Sequence, residues 1–244
     1  ANKGYSGGKS NKEVSEKYKS LVTPAGWAFA IWAIIYLGEM CAMAFMVLGE
    51  PSTTMLGASP SWIWGNLLQL AWAMAFARED ITFSAALLTG IAVAMTECTR
   101  VIATTATGVE QLVLLGPIAL HAGWVVAAAL VNWNVALVWL QVPLSVQISV
   151  AFLTLHAAFG AALTAFLVPI DAVGTPAPLP FLMALGWALV AISSEVDTQG
   201  EIRIVWPLRR ALFYTAGACA ALVGAMCGIH AARLAEMAKD SWSA

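Results

Sequence analysis

Long runs of apolar and small residues, separated by short polar stretches, dominate the pattern along this chain. The first run covers residues 22–49, where Thr23 as a helix cap and Pro24 at the first helical position predict a helix long enough to cross a bilayer. Six further runs follow, over residues 61–77, 81–101, 116–140, 144–168, 179–196 and 208–235. The pattern therefore predicts an all-α fold, a polytopic integral membrane bundle of about seven transmembrane helices.

Polar stretches divide the chain into three parts. These are a polar N-terminal arm over residues 1–20, a four-helix part over 21–140 and a three-helix part of the same membrane domain over 141–244. Pro-containing loops are expected over residues 50–60 and 169–178, with Ser61 as the cap of the second membrane helix. Inside the third helix, Glu97 is expected to pair with Arg100, because residues three apart share a helix face.

Composition supports the membrane assignment and excludes several functions. Hydrophobic residues make up 60% of the chain and charged residues 11%, with a mean hydropathy of +0.79, far from the balance of soluble proteins. A net charge of −2 argues against nucleic acid as a partner. The sequence lacks G-x-S-x-G, phosphate-loop and H-E-x-x-H motifs, and its cysteines lack C-x-x-C spacing. We therefore expect neither an enzyme nor a directly bound metal.

Lysine and arginine are distributed unequally across the predicted topology. Nine lie on the side of the N-terminus and three on the other side. Because these residues prefer the cytoplasmic side or its organellar equivalent, the N-terminus is predicted on a stromal or cytosol-like side. The chain as given starts without methionine, which fits a product cut from a precursor or a chain that starts after an upstream segment. We expect an organellar membrane, with the plastid thylakoid favoured.

Polar and aromatic residues inside the predicted helices are the candidate cofactor-binding residues. They are Glu39, Asn66, Gln69, His121, Asn132, His156, His230, Trp27, Trp32, Tyr36 and Trp124. An unpaired ionisable group in hydrocarbon is costly, so Glu39 must meet a partner inside the protein.

His121 and Asn132 are eleven residues apart, three helical turns, and share a face. Such residues suit a Mg or Fe tetrapyrrole, with His121 or His156 as axial ligand and aromatic side chains over the ring. Alternatively, each polar group only bonds a neighbouring helix, which stabilises a membrane protein by about 0.6 kcal/mol on average.

Three short patterns carry a family resemblance. They are Pro24 to Tyr36 with Phe29 and Trp32 between, Gln69 with Leu70 and Trp72, and Trp124 with Ala128 and Asn132. Over roughly residues 15–138 the chain resembles the tryptophan-rich sensory protein family, the TspO/translocator-protein group, and its longer multi-helix branch in particular. Short members have a helix before the first pattern, where this chain has its polar arm. The resemblance implies binding of tetrapyrroles such as haem and its precursors, or of sterols and other apolar ligands.

Three functions follow from these observations and stay open at this point. The first is a non-enzymatic membrane protein that binds a tetrapyrrole-type pigment, chlorophyll or porphyrin, or other apolar cofactors such as carotenoid or lipid. The second is a structural or linker subunit of a larger photosynthetic membrane complex, since the small-residue stripe of Gly217, Gly224 and Gly228 allows another helix to approach closely. The third is a transporter or sensor of an apolar metabolite. Expected partners are membrane lipids, an apolar small molecule and other membrane subunits.

Overall fold

The computed structural model describes residues 11–50, 52–167, 178–196 and 206–243. Its α-helices are α1 (Asn11–Lys17), α2 (Ile31–Leu48), α3 (Thr53–Ala77), α4 (Ile81–Thr105), α5 (Gly116–Trp139), α6 (Leu144–Leu167), α7 (Leu179–Val196) and α8 (Trp206–Ser243). A 3-10 helix, Gly26–Ala30, precedes α2, and a π-helix, Gln111–Leu115, precedes α5. Within the described residues there is no strand, so the all-α prediction is confirmed.

The seven predicted membrane helices are present as α2 to α8. Within the described ranges, five stretches are long and apolar enough to cross a membrane by length and composition. These are Gly26–Leu48, Ile81–Thr105, Gln111–Trp139, Leu144–Leu167 and Pro207–Glu236. The helix α7 is shorter, and α3 has the required length but a mean hydropathy too low to be among the five. The molecule is therefore an integral membrane helix bundle.

The predicted start of α2 is wrong. Residues 23–25 are not helical, and Thr23 is not a helix cap. Its Oγ1 instead accepts a hydrogen bond from the backbone N–H of Ser20, at 2.8 Å, which closes a local turn. The 3-10 helix, which is wound more tightly than an α-helix, then leads directly into α2.

The predicted start of α3 is wrong too. This helix begins at Thr53, where Ser52 acts as the cap and its Oγ accepts from the backbone N–H of Met55 at 3.2 Å. Pro60 consequently lies inside α3 and cannot donate to the carbonyl one turn earlier. The Ser59 hydroxyl donates to the Leu56 carbonyl at 3.1 Å, which supplies the missing bond.

Other local predictions are confirmed. Arg100 makes two hydrogen bonds to the Glu97 carboxylate, at 2.7 and 2.8 Å. The helix α5 begins at Gly116 with Pro117 in its first turn, where a missing N–H costs nothing.

The centre of the bundle is α5, which packs against α2, α4, α6 and α7. Two glycines mark close approaches between α5 and its neighbours. A Cβ on Gly38 of α2 would lie 2.8 Å from Pro117, and a Cβ on Gly123 of α5 would lie 2.4 Å from the Phe181 carbonyl oxygen of α7. Helices from the predicted four-helix and three-helix parts therefore pack on one another, and the boundary at residue 140 stays a prediction.

The polar arm joins both parts at one end of the bundle. Lys17 and Tyr18 bind Glu79 in the turn between α3 and α4, and Lys19 binds Glu195 near the end of α7. These contacts put the arm, this turn and the end of α7 at the same end of the bundle. Residues 1–10 of the arm, 169–177 of the proline-containing loop and 197–205 of the charged loop lie outside the described residues.

Candidate functional site

A chain of four hydrogen-bonded side chains connects α2, α5 and α3. Glu39 Oε1 lies 2.7 Å from His121 Nδ1, and His121 Nε2 lies 3.1 Å from Gln69 Oε1. Gln69 Nε2 donates to the Tyr36 hydroxyl at 3.3 Å. Glu39 and His121 are 8% and 1% exposed, whereas Tyr36 is 48% exposed. The chain, which we call the polar chain, thus runs from the interior to the outer surface, and it joins four predicted candidate residues.

Both ring nitrogens of His121 are occupied in the polar chain. Gln69 Oε1 can only accept, so His121 Nε2 is the donor in that bond, and Nδ1 bonds the Glu39 carboxyl. These hydrogen bonds lower the cost of burying both groups. His121 is therefore the partner that Glu39 requires, and it has no free lone pair with which to bind a metal.

Aromatic rings pack around the polar chain. Trp32 stacks on Tyr36, with ring centroids 5.1 Å apart, and meets His121 edge-on at 5.4 Å. Trp124 lies edge-on to Trp32 at 6.4 Å. These rings cover the buried end of the polar chain and favour one arrangement of its side chains.

A further aromatic contact anchors the segment before α2. Trp27 meets Trp187 of α7 edge-on at 4.7 Å, and the Trp187 indole N–H donates to the Ala28 carbonyl at 2.9 Å. Trp187 thus holds the 3-10 helix in place, although it was not a candidate site residue. The sequence signal that points to Trp187 is a tryptophan in the middle of an apolar helix.

Three other candidates do not join the polar chain. Asn66 donates to the Trp62 carbonyl of its own helix at 2.9 Å. Asn132 and His230 are buried, at 5% and 2% exposure, and Asn132 Oδ1 and His230 Nδ1 have no hydrogen-bond partner among the described residues. Sequence reasoning also missed a buried bond between α5 and α6, in which Asn134 donates to the Thr154 hydroxyl at 2.7 Å.

His156 differs from the other two histidines because it lies on the outside of the bundle. It is exposed near the middle of α6, one of the five membrane-length helices. Its Nδ1 lies 2.7 Å from the Phe152 carbonyl oxygen, which can only accept, so the proton is on Nδ1 and Nε2 carries a lone pair. No described residue bonds Nε2. Four residues on, a Cβ at Gly160 would meet nothing within 4 Å, so the surface beside His156 is open.

A cavity of about 160 Å³, partly open to the outside, lies between α2, α3, α4 and the start of α5. Its wall, which includes Met46, Met55 and Ile118, is almost entirely apolar, and Glu39 also lines it. A cavity of about 150 Å³ holds one benzene molecule, whereas pockets for larger ligands start at about 300 Å³. The cavity therefore does not enclose a tetrapyrrole ring.

Comparison with known proteins identifies the family. Residues 1–229 match the model of the family described as TSPO-like protein. No match was found among curated proteins or among solved structures. The match covers nearly the whole chain and confirms the resemblance carried by the Trp-containing patterns. The chain belongs to the TSPO-like protein family.

Proposed function

We propose that the protein is a non-enzymatic integral membrane protein that binds a metal-containing tetrapyrrole through His156. The observation that carries the proposal is the single hydrogen bond of this imidazole. Bonding of Nδ1–H to the Phe152 carbonyl fixes the tautomer and orients the ring, as partners of metal-ligating histidines do. The lone pair on Nε2 then belongs to an exposed imidazole in the middle of α6, a helix long and apolar enough to cross a membrane.

A tetrapyrrole metal would give the lone pair on His156 Nε2 the bonding partner that it lacks. An imidazole nitrogen without a partner in hydrocarbon carries a desolvation cost, which axial coordination of Mg, Zn or Fe offsets. On the outward side of α6, Leu153 is 65% exposed and Gly160 has no side chain. These two positions leave room beside His156 for the flat ring that its imidazole would hold.

The other two histidines fit this role less well. His121 gives both nitrogens to the polar chain, and His230 is enclosed at 2% exposure. His156 alone among the three combines exposure with a nitrogen that no described residue bonds.

The test is a titration of the detergent-purified protein with zinc protoporphyrin, which takes one axial ligand. We expect saturable binding with a shifted Soret band, and at least about tenfold weaker binding to His156→Leu, since a coordination bond is lost. Metal-free protoporphyrin is the matched control, because its binding should not depend on His156. Gly160→Leu, which covers the open surface and keeps the imidazole, should also weaken zinc protoporphyrin binding.

The His156→Leu variant replaces an exposed residue with an apolar one on a lipid-facing surface, so its fold should be intact. Equal zinc protoporphyrin binding by this variant and the wild type would overturn the assignment of His156. Absence of any tetrapyrrole binding by the wild type would overturn the proposed function itself.

A second candidate function is favoured by the outer surface of α8. Cβ atoms at Gly224 and Gly228 would meet nothing within 4 Å, so a helix of another subunit could approach closely here. As a subunit of a larger photosynthetic complex, the protein would hold chlorophyll as its tetrapyrrole. It would then migrate with that complex in native gels of mildly solubilised membranes, and Gly224→Leu would release it. Migration of the native protein only at monomer size would rule this candidate out.

A further inference from the structure

We infer that Arg233, at the place where α8 passes the end of α6, binds the phosphate of an anionic membrane lipid, with His230 as a second polar contact. Arg233 lies in the last turn of Pro207–Glu236, the stretch of α8 that is long and apolar enough to cross a membrane. Its 30 residues rise about 45 Å, the thickness of a bilayer with its headgroups, so the last turn reaches the headgroup region.

This place is separate from the proposed tetrapyrrole site. His156 lies ten residues before Phe166 on α6, a rise of about 15 Å along the helix. The inference therefore goes beyond the proposed function and does not depend on it.

Phe166, next to the last residue of α6, positions the guanidinium of Arg233. The Arg233 Cζ atom lies 5.2 Å from the centroid of the Phe166 ring, which is a cation–π contact. Such a contact uses the charge of the guanidinium and none of its N–H donors. The donors consequently stay available, and two of them match the spacing of two phosphate oxygens.

No anionic side chain of the described residues neutralises Arg233. The side chain is exposed, and no described residue forms a hydrogen bond or an ion pair with its guanidinium. Glu236 has the spacing for such a pair, three residues on, but does not make it. Arg100, by contrast, is held by Glu97 through two hydrogen bonds. An arginine without a counter-ion at the edge of a membrane attracts anionic headgroups.

His230 is a second, independent observation that points to a ligand here. It lies three residues before Arg233 on the same face of α8, and long helical side chains point back toward the N-terminus, so the guanidinium extends toward His230. His230 is 2% exposed, and its Nδ1 has no hydrogen-bond partner among the described residues. In the tautomer with a proton on Nδ1, this nitrogen donates to a phosphate oxygen, or to a water bound to it, which offsets the cost of its burial.

Charge and the surface of α8 select the class of lipid. The chemistry recognised is a phosphate oxyanion, and a headgroup with net negative charge is favoured over a zwitterionic one, whose ammonium group would be repelled by Arg233. Leu222 and Ile229 lie on the same side of α8 as Arg233 and are 52% and 49% exposed. Acyl chains that cover them add apolar burial, which a free phosphate does not have.

The experiment is native mass spectrometry of the detergent-purified full-length protein with two lipids of identical acyl chains, dioleoylphosphatidylglycerol and dioleoylphosphatidylcholine. We expect the first lipid bound to the wild type to be phosphatidylglycerol, with an affinity at least about tenfold higher than that of phosphatidylcholine. Arg233→Gln should weaken phosphatidylglycerol binding about tenfold, because a charge-assisted pair is lost. Arg233→Lys should lie between the two, since it keeps the charge but loses the two parallel donors.

Two further variants test the geometry of the site. Arg100→Gln removes the same charge from a guanidinium that Glu97 already holds, and it should leave phosphatidylglycerol binding unchanged. His230→Phe keeps an aromatic ring but removes the nitrogen, and it should weaken binding about threefold, the effect of one hydrogen bond. Equal phosphatidylglycerol binding by Arg233→Gln and Arg100→Gln, or equal affinities of the wild type for the two lipids, would overturn the inference.

Inorganic phosphate distinguishes a lipid headgroup from a soluble anion. It should not displace phosphatidylglycerol at equal concentration, because it lacks acyl chains to place along α8. Displacement at equal concentration would show that the site takes soluble phosphate, and would overturn the assignment of a lipid.

Discussion

The surroundings of His121 and His156 show two ways of placing an imidazole in a membrane protein. His121 is 1% exposed, and the protein bonds both of its nitrogens. His156 is exposed, and the protein bonds only one. The sequence treats both as candidate axial ligands, since each is a histidine within an apolar helix. Their hydrogen bonds separate them: His121 belongs to the polar chain inside the bundle, and His156 keeps a lone pair on the outer surface, where we propose that a ligand binds.

The glycines near these residues follow the same division. Gly123, two residues after His121, touches the backbone of α7, whereas Gly160, four residues after His156, faces open space. Gly123 thus lets α5 and α7 pack closely, while Gly160 leaves part of the surface of α6 uncovered. Substitutions at the two sites should therefore differ in sign as well as in size.

The largest difference is expected between the two histidine-to-leucine variants. His121→Leu leaves the buried Glu39 carboxyl without its partner, as well as Gln69 Oε1, and should lower the free energy of unfolding by about 3 kcal/mol, as for other broken buried pairs. His156→Leu should change it by less than about 0.5 kcal/mol. Unfolding by SDS in mixed micelles measures both. If the two variants were equally stable, the polar chain would contribute nothing to the fold.

The next largest effect concerns the two glycines. Gly123→Ala places a methyl group against the Phe181 carbonyl and should destabilise the bundle by about 2 kcal/mol through forced separation of α5 and α7. Gly160→Ala has free space and should stabilise α6 by up to about 1 kcal/mol, because alanine is the better helix former. Thermal unfolding of the two variants in one detergent provides the measurement. A destabilising Gly160→Ala would mean that the surface beside His156 is covered.

A smaller effect is expected at the exposed end of the polar chain. Tyr36→Phe removes the hydroxyl that accepts from Gln69 and should cost about 0.6 kcal/mol, the average for such bonds in membrane proteins. A double-mutant cycle with Gln69→Leu should return a coupling of similar size. A coupling energy of zero would mean that the Tyr36 hydroxyl does not belong to the polar chain, which would then end at Gln69.

The smallest effect should come from the pair on the surface of α4. The Glu97 and Arg100 side chains are 46% and 50% exposed, so Glu97→Gln should cost only about 0.3 kcal/mol, and less at high salt. Unfolding at low and high ionic strength checks both statements. A cost as large as that of His121→Leu would contradict the view that the polar chain stabilises the protein because it is buried, and not through pairing alone.

The structure also shows where local sequence signals were misleading. Thr23 and Pro24 have the residue types of a helix start, but Ser20 binds the Thr23 hydroxyl and a 3-10 helix follows instead. Pro60 was read as the end of a loop, although Ser59 satisfies the carbonyl that this proline leaves free and α3 continues through it. In both places a hydrogen bond from a neighbouring residue accompanies the alternative that the chain adopts among those the helix-capping rules allow.

The sequence by itself determined the class of the protein, the positions of its membrane helices, its family and the need of Glu39 for a partner. These follow from hydropathy, from short patterns and from the cost of a charge in hydrocarbon, all of which are properties of the local sequence. Only the tertiary structure decided that the partner of Glu39 is His121, 82 residues away, and that His156 faces outward. The physical reason is that a helix which is apolar on every side does not specify its own rotation. Packing against its neighbours, through contacts such as Gly123 with Phe181, fixes which residues point inward and which meet the membrane.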